Sequence, residues 1–246
     1  MNKKIIVIGD AHVEQGQNLS RFSALGNLIS KHKPDVVVSI GDFATVESLS
    51  AWDKDKRKQM ENRRYEKEIA ACNEALDRLN IPKHVEKIYI EGNHEDRAKR
   101  FVDYHPELEG KLSIRKDLDL DNRGWLWVPY KSNHTINGVS FTHVPISGNG
   151  KPVSGVDVCG KALKLYHNSV VFGHNHGLYH SMEHRQNAPH LNQALSVGCF
   201  FEHVAEYALG SKTDYWRGIV ELDIYHKNRF NFTCISLSTI KQQYGK

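Results

Sequence analysis

Five short apolar runs in this chain each end on a residue able to bind a metal ion. Ile5-Ile6-Val7-Ile8 leads into Gly9-Asp10-Ala11-His12, Val36-Val37-Val38-Ser39-Ile40 into Gly41-Asp42, and Ile88-Tyr89-Ile90 into Gly92-Asn93-His94-Glu95. Val139-Ser140-Phe141 leads into Thr142-His143, and Val170-Val171-Phe172 into Gly173-His174-Asn175-His176. Unbroken runs rich in β-branched residues, rather than alternating ones, predict strands buried on both faces, as in an α/β sheet. In such sheets ligands collect beyond the carboxyl ends of the strands, where these residues fall. Gly9, Gly41, Gly92 and Gly173 mark exits where the backbone must turn sharply or come close to a bound group, which a Cβ would often obstruct.

Between the first two runs, Phe22, Leu25, Leu28 and Ile29 recur at helical spacing, so residues 18–31 are expected to form a crossover helix. From about Ser48 to Asn80 the apolar residues Tyr65, Ile69, Cys72, Leu76 and Leu79 predict one long amphipathic helix closed by Pro82. Its first half is cationic: Lys54, Lys56, Arg57, Lys58, Arg63 and Arg64 against Asp55 and Glu61, six charges against two. That is either a solvated face or a basic rim for a polyanion, and Trp52 adds a surface on which a base could stack. After the last histidine motif, Leu195-Ser196-Val197, residues 218–224 and residues 230–235 read as strands without intervening helices, which predicts a second, largely antiparallel sheet packed on the first.

The 246 residues are most simply one domain spanning 1–246, since no composition shift marks a linker. A net charge of +4 leans only weakly towards anionic partners. Cys72, Cys159, Cys199 and Cys234 are scattered without a C-x-x-C pair, which argues against a zinc ribbon and against a disulfide framework and predicts reduced core residues. The first apolar stretch is four residues long, too short for a signal peptide or membrane span, so no membrane partner and a cytoplasmic location are expected. Of fifteen histidines, His32, His84, His105, His134, His167, His180, His184, His190, His203 and His226 are expected to be surface or packing residues.

Phosphate esters resist attack because their negative oxygens repel a nucleophile. Two divalent ions neutralise that charge and make hydroxide available near neutral pH. Such a pair wants about seven mixed oxygen and nitrogen ligands, and Asp10, His12, Asp42, Asn93, His143, His174 and His176 supply that set. Asp42, alone at its strand end, is the natural bridge between ions. Four histidines favour a transition metal over magnesium or calcium: manganese first, with nickel, cobalt, zinc or iron also fitting. His94, beside a ligand, is placed to stabilise charge on phosphoryl oxygen or to protonate a leaving alkoxide, with Glu95 orienting it and favouring its charged form. Glu95 or Asp96 could instead cap a helix, and Arg97 and Arg100 could grip phosphate or be solvated. With Lys56, Arg57 and Trp52, these two arginines make up the expected substrate-binding set.

In this order the motifs Asp10-x-His12, Gly41-Asp42, Gly92-Asn93-His94-Glu95, His143 and Gly173-His174-Asn175-His176 resemble the calcineurin-like metallophosphoesterase superfamily. The resemblance implies a four-layer α/β/β/α sandwich with metals at strand ends. It implies one ion on Asp10, His12, Asp42 and His176, a second on Asp42, Asn93, His143 and His174, His94 as the catalytic histidine, and in-line attack by a metal-bridging hydroxide. Gly41-Asp42-Phe43-Ala44-Thr45-Val46 lacks the aspartate and arginine that usually follow this motif in protein Ser/Thr phosphatases, which disfavours that branch. Residues 48–80 and Asn93-His94-Glu95-Asp96-Arg97 look more similar to compact bacteriophage-encoded members, whose substrates are often nucleic acids or nucleotides.

The expected activity is therefore that of a phosphodiesterase or nuclease acting on DNA, RNA or nucleotides, in the host cytoplasm if phage-encoded. The alternatives are a phosphomonoesterase acting on a small nucleotide or metabolite, and a non-catalytic scaffold, which would be expected to have lost ligands that this chain keeps.

Overall fold

Side chains of strand β1 (Lys3–Ile8) divide by parity: Ile6 and Ile8 enter a core shared with helices, Ile5 and Val7 a core shared with a second sheet. The computed structural model in which this is seen describes residues 2–52, 55–184, 191–203, 214–226 and 228–245, leaving out the side chains of Arg57 and Gln59. The same division holds in β2 (Val36–Ser39), where Val37 faces the helices and Val36 and Val38 the other sheet, and in β3 (Glu86–Ile90), where Tyr89 opposes Ile88 and Ile90. Burial on both faces is why these strands are continuous apolar runs.

The first sheet has the order β11-β10-β1-β2-β3-β4, adding β4 (Trp125–Val128), β10 (Gly218–His226) and β11 (Arg229–Ser236). Strands β1 to β4 are parallel, and β10 and β11 are antiparallel additions. The second sheet runs β5-β6-β7-β9-β8, from β5 (His134–Ile136), β6 (Val139–Thr142), β7 (Val170–Phe172), β8 (Leu178–His184) and β9 (Leu191–Val197). Val139, Phe141, Val171, Leu195 and Val197 meet the first sheet. Val170, Phe172 and Ala194 on the opposite face pack under helix α6 (Val158–Leu165), while α1 (Ser20–His32), α3 (Tyr65–Leu79) and α7 (Leu237–Tyr244) cover the outer face of the first sheet. The layers are α/β/β/α, the fold expected from the motifs.

Three expectations are corrected. The long helix of residues 48–80 divides into a 3-10 turn at Glu47–Leu49, a short α2 (Arg57–Met60) and α3. All five periodic apolar residues lie in α3. The charged half has no apolar stripe to bury, and Asn62, with φ 61°, interrupts it. The C-terminal hairpin β10–β11 joins the first sheet rather than the second, because Val220, Leu222 and Ile224 cover the otherwise open edge of β1 and fill the core between sheets. That leaves the second sheet mixed, with β6, β7 and β9 parallel and β5 and β8 antiparallel at its edges. Finally, Cys72, Cys159 and Cys199 are buried free thiols, but Cys234, on β11, is exposed. Among the described residues no helix is long and apolar enough to cross a membrane.

Candidate metal centre

Asp10, Asp42 and Asn93 follow the ends of β1, β2 and β3 in one sheet, and His143, His174 and His176 follow β6 and β7 in the other. Backbone hydrogen bonds tie the exits together: Ala11 and His12 N–H donate to the Asp42 carbonyl (3.0 and 2.9 Å), and Gly173 N–H to that of His143 (2.9 Å). The carboxylates also accept from the loops, Asp10 from His174 N–H at 3.0 Å and Asp42 from His94 N–H at 2.9 Å. His12, Asp42, His174 and His176 have φ of 42°, 49°, 68° and 57°, the left-handed region that non-glycine residues seldom occupy. The left-handed conformation thus recurs at four residues that line one crevice.

The glycines of the motifs serve the ligands directly. A Cβ on Gly41 would strike the His143 ring, one on Gly92 the Asp42 carboxylate, and one on Gly173 the Asp10 carboxylate. Each glycine is the space into which a neighbouring strand's ligand is packed.

Three groups of potential ligand atoms form, each within 4.8 Å: Asp10, His12 and His176; His12, Asp42 and His94; and Asp42, His143 and His174. Asn93 joins the third, its Oδ1 lying 3.0 Å from His143 Nε2. His143 Nδ1–H donates to the Ile40 carbonyl at 3.1 Å, which leaves Nε2 facing Asn93 Oδ1 and, at 3.4 Å, Asp42 Oδ2. Likewise His12 Nε2 and His176 Nε2 face each other at 3.2 Å. Lone pairs converging on buried points are what a cation needs, and the mixed carboxylate, amide and imidazole set fits divalent transition metals.

Electrostatics lead to the same place. Burial alone would lower the pKa of His143, but the charge and hydrogen bond of Asp42 outweigh it and push the ring up to about 9. Burial alone would raise Asp42, but His143 and His94 hold it well below the usual carboxylate range. His12 is lowered by burial and by His94, and His174 by burial and by His143. In the protein alone, a proton on His143 compensates Asp42; a metal ion at this point would take over that task.

His94 Nδ1 lies 3.0 Å from the Thr45 carbonyl, its ring centroid is 4.6 Å from that of His12, and Nε2 lies 3.9 Å from Asp42 Oδ2. Burial, opposed by Asp42 and aided by Arg97, brings its pKa down to about 4, so the ring is neutral at neutral pH. This corrects the expected part of Glu95, because the group that orients His94 is a backbone carbonyl and the ring is not held charged. Glu95 is fully buried and accepts from Asp42 N–H (3.0 Å), Ala44 N–H (2.9 Å), Gly92 N–H (2.9 Å) and Tyr89 O–H (3.0 Å). It brackets the loops after β2 and β3. Although it precedes α4 (Asp96–Tyr104), its side chain makes no capping hydrogen bond.

The expected substrate-binding residues fare differently. Arg97 donates to the Thr45 carbonyl and Glu47 (3.0 and 3.1 Å), and Arg100 to the Asn93 carbonyl (2.8 Å) while pairing with Asp96 (3.0 Å). Both therefore have partners within the protein, and Arg97 helps to fix the carbonyl that holds His94. Trp52 is exposed, with Lys56 Nζ 5.8 Å from its ring centroid. The side chain of Arg57 lies outside the described residues. Arg63 bonds Glu14 at 3.2 Å, and Glu14 lies 3.5 Å from His203, tying the basic segment to the neighbourhood of the site.

Several residues around the ligands were not singled out by sequence. Phe201 packs on His12 and His176 (5.2 and 5.1 Å), Tyr215 on His176 (4.9 Å), and Tyr130 lies 6.1 Å from His143. His203, expected to be a surface or packing residue, packs on Phe201 at 4.8 Å. Tyr130 follows β4 and Phe201 follows β9, so the rule that found the ligands, residues just past a parallel strand, would have found these two as well.

The family model for calcineurin-like phosphoesterases matches residues 3–178. The Gene 54 protein of Mycobacterium phage D29 is 26% identical over 182 residues, covering 72% of this chain and 70% of that protein. Among solved structures, similarity is found to a predicted phosphoesterase of Streptococcus pneumoniae TIGR4 (TM-score 0.42, 12% identity, 97% of this chain and 91% of that one). It is also found to the phosphoesterase Yfce of E. coli (0.42, 14%, 95% and 99%) and to purple acid phosphatase PPD1 of yellow lupin seeds (0.46, 14%, 97% and 52%).

Proposed function

This chain belongs to the calcineurin-like phosphoesterase family, a metal-dependent hydrolase of phosphate-ester bonds, and from that premise we propose that it is a two-metal phosphodiesterase acting on DNA, RNA or nucleotides. Asp10, His12, His176 and Asp42 are assigned to one ion and Asp42, Asn93, His143 and His174 to the other, with manganese the favoured metal. When bound, the ions supply neutralisation of phosphoryl charge and a nucleophile from water at neutral pH. The protein's own groups do the rest. Glu95, Gly92 and Gly173 set the positions of the carboxylates, and Gly41 that of the His143 ring. The Thr45 carbonyl takes Nδ1–H of His94 and turns Nε2 to the crevice, where, once it has taken up a proton, it would donate to a phosphoryl oxygen or to the leaving oxygen.

The observation that carries this reading is the meeting of His143 Nε2, Asn93 Oδ1 and Asp42 Oδ2 with His143 Nδ1–H given to Ile40, an arrangement that a proton on Nε2 holds together in the protein alone and whose place a cation can take. Nucleic acid or nucleotide is favoured as substrate by the cationic segment around Lys56 and Lys58, by the exposed Trp52, and by the phage relative, which also favours work in a host cytoplasm. The test is hydrolysis of bis-p-nitrophenyl phosphate, p-nitrophenyl phosphate and labelled single- and double-stranded DNA with Mn2+, Ni2+, Co2+, Zn2+ and Mg2+ in turn. Diesters should be cleaved with a transition metal. Activity on monoesters alone would remove the phosphodiesterase reading, and a protein that binds no divalent ion and hydrolyses nothing would be a scaffold.

A further inference from the structure

Seven strands of the two sheets run parallel to a sheet neighbour, and two of them, β4 and β9, are followed by aromatic residues instead of ligands. Past β4, Tyr130 is anchored by its N–H to Glu91 at 2.9 Å, and Lys131 Nζ stands 5.6 Å from its ring centroid. Past β9, Cys199 N–H donates to the Trp216 carbonyl and Trp216 N–H to that of His176 (2.8 and 3.0 Å), which brings Tyr215 against His176. The Arg217 guanidinium lies 5.9 Å from the Tyr215 ring. The two half-buried tyrosines stand at opposite ends of the ligand row: Asp42 lies between His143 (3.4 Å) and His12 (3.9 Å), His143 leads to Tyr130, and His12 leads through His176 to Tyr215.

Each cation stands over one face of its ring, so a nucleobase would stack on the opposite face, with little regard to sequence because every base has a π-face, and the cation would add attraction to a neighbouring phosphate. We propose that Tyr130 with Lys131 and Tyr215 with Arg217 are two base-stacking platforms, one on each side of the metal centre, so that the preferred substrate is a phosphodiester carrying a planar group on both sides of the scissile phosphate. This rests on the phosphodiesterase reading and deepens it. A monoester or an alkyl aryl diester fills one platform only.

The test compares Tyr130→Leu and Tyr215→Leu, with Tyr130→Phe and Tyr215→Phe as conservative partners, on bis-p-nitrophenyl phosphate and methyl p-nitrophenyl phosphate. Binding of thymidylyl-thymidine to the same variants is measured by calorimetry in metal-loaded His94→Ala protein, where the dinucleotide should persist uncleaved. Each leucine variant should raise KM for the bis-aryl ester and Kd for the dinucleotide about tenfold with kcat within about twofold, as loss of one stacking contact implies. The phenylalanine variants should restore both, and the methyl ester should respond to one leucine variant and not the other. Unchanged KM and Kd in both leucine variants, equal losses on the methyl ester, or failure of phenylalanine to rescue would overturn the platforms. If the parent protein hydrolyses no ester yet the dinucleotide shows the expected losses, the hydrolase reading fails and the platforms stand.

Discussion

The carboxylate of Asp42 occupies the space a side chain would need at Gly92: a Cβ there would collide with Oδ1 and with the Asp42 backbone nitrogen. Gly92 has no positive φ to require glycine, so its constraint is purely this contact, whereas Gly41, with φ 107°, is constrained twice. Gly92→Ala is therefore expected to displace Asp42 and cost roughly 1–3 kcal/mol through overpacking. If Asp42 bridges the ions, metal content by elemental analysis should fall at both sites together, as it should in Asp42→Asn. Two ions bound in either variant would contradict the bridge.

Glu95→Gln keeps the shape of the bracket but replaces an oxygen by an NH2 group. Each Glu95 oxygen takes two donors, Asp42 N–H and Gly92 N–H on one, Ala44 N–H and Tyr89 O–H on the other. Whichever way the amide turns, a buried N–H loses its acceptor, which costs about 1–3 kcal/mol. Lower thermal stability should accompany weaker metal affinity. A variant that loses activity but keeps both would show that Glu95 acts on the substrate after all.

His94→Ala removes the ring but keeps the backbone N–H that donates to Asp42. Metal content should persist while turnover drops roughly a hundredfold or more, the share a general acid–base group usually supplies. Single-turnover kinetics beside metal analysis on one preparation makes the comparison. Full activity would take His94 out of the mechanism.

The ligand loops were legible because burial on both faces writes a strand as an unbroken apolar run, and the crevice beyond it must then hold the polar residues that follow. The residues around them were less so. Strand β4, Trp125-Leu126-Trp127-Val128, carries no β-branched run to announce it, and β8 is an edge strand of mostly polar residues, Leu178-Tyr179-His180-Ser181-Met182-Glu183-His184. Glu95, Arg97 and Arg100 look like catalytic or phosphate-binding groups in sequence. Their main partners are backbone N–H and carbonyl groups, which leave no mark in a sequence.

His94 and His143 should give the metal-free protein an acid and an alkaline limb of stability, with Glu95, raised by burial and by Asp42 to about 7, working against the acid limb. His94 is lowered in the fold to about 4, so its contribution is complete above its ordinary 6.5 and is lost as pH falls towards 4. His143 is raised to about 9, so its contribution is complete below 6.5 and is lost as pH rises through 9. Bound metal replaces the His143 proton, so excess Mn2+ should flatten the alkaline limb, and metal binding near pH 7.5 should release protons. Melting temperatures from pH 4 to 10, with and without metal, show whether the alkaline limb exists and whether the ion removes it.

Neutralising Lys56, Arg57 and Lys58 separates the two meanings of the cationic segment. Lys56 and Lys58 are exposed, and Arg63 ties the segment through Glu14 to His203 near the ligands, so a long polyanion in the crevice could reach both lysines where a chromogenic ester could not. The triple glutamine variant should therefore keep its KM for bis-p-nitrophenyl phosphate. On labelled DNA it should lose affinity and show a shallower dependence on salt, because each phosphate contact contributes to that slope. A solvated face makes a different prediction: both substrates unchanged, with the salt slope intact. Equal losses on both would place the charge effect at the metal centre itself, since only there do the two substrates share a contact.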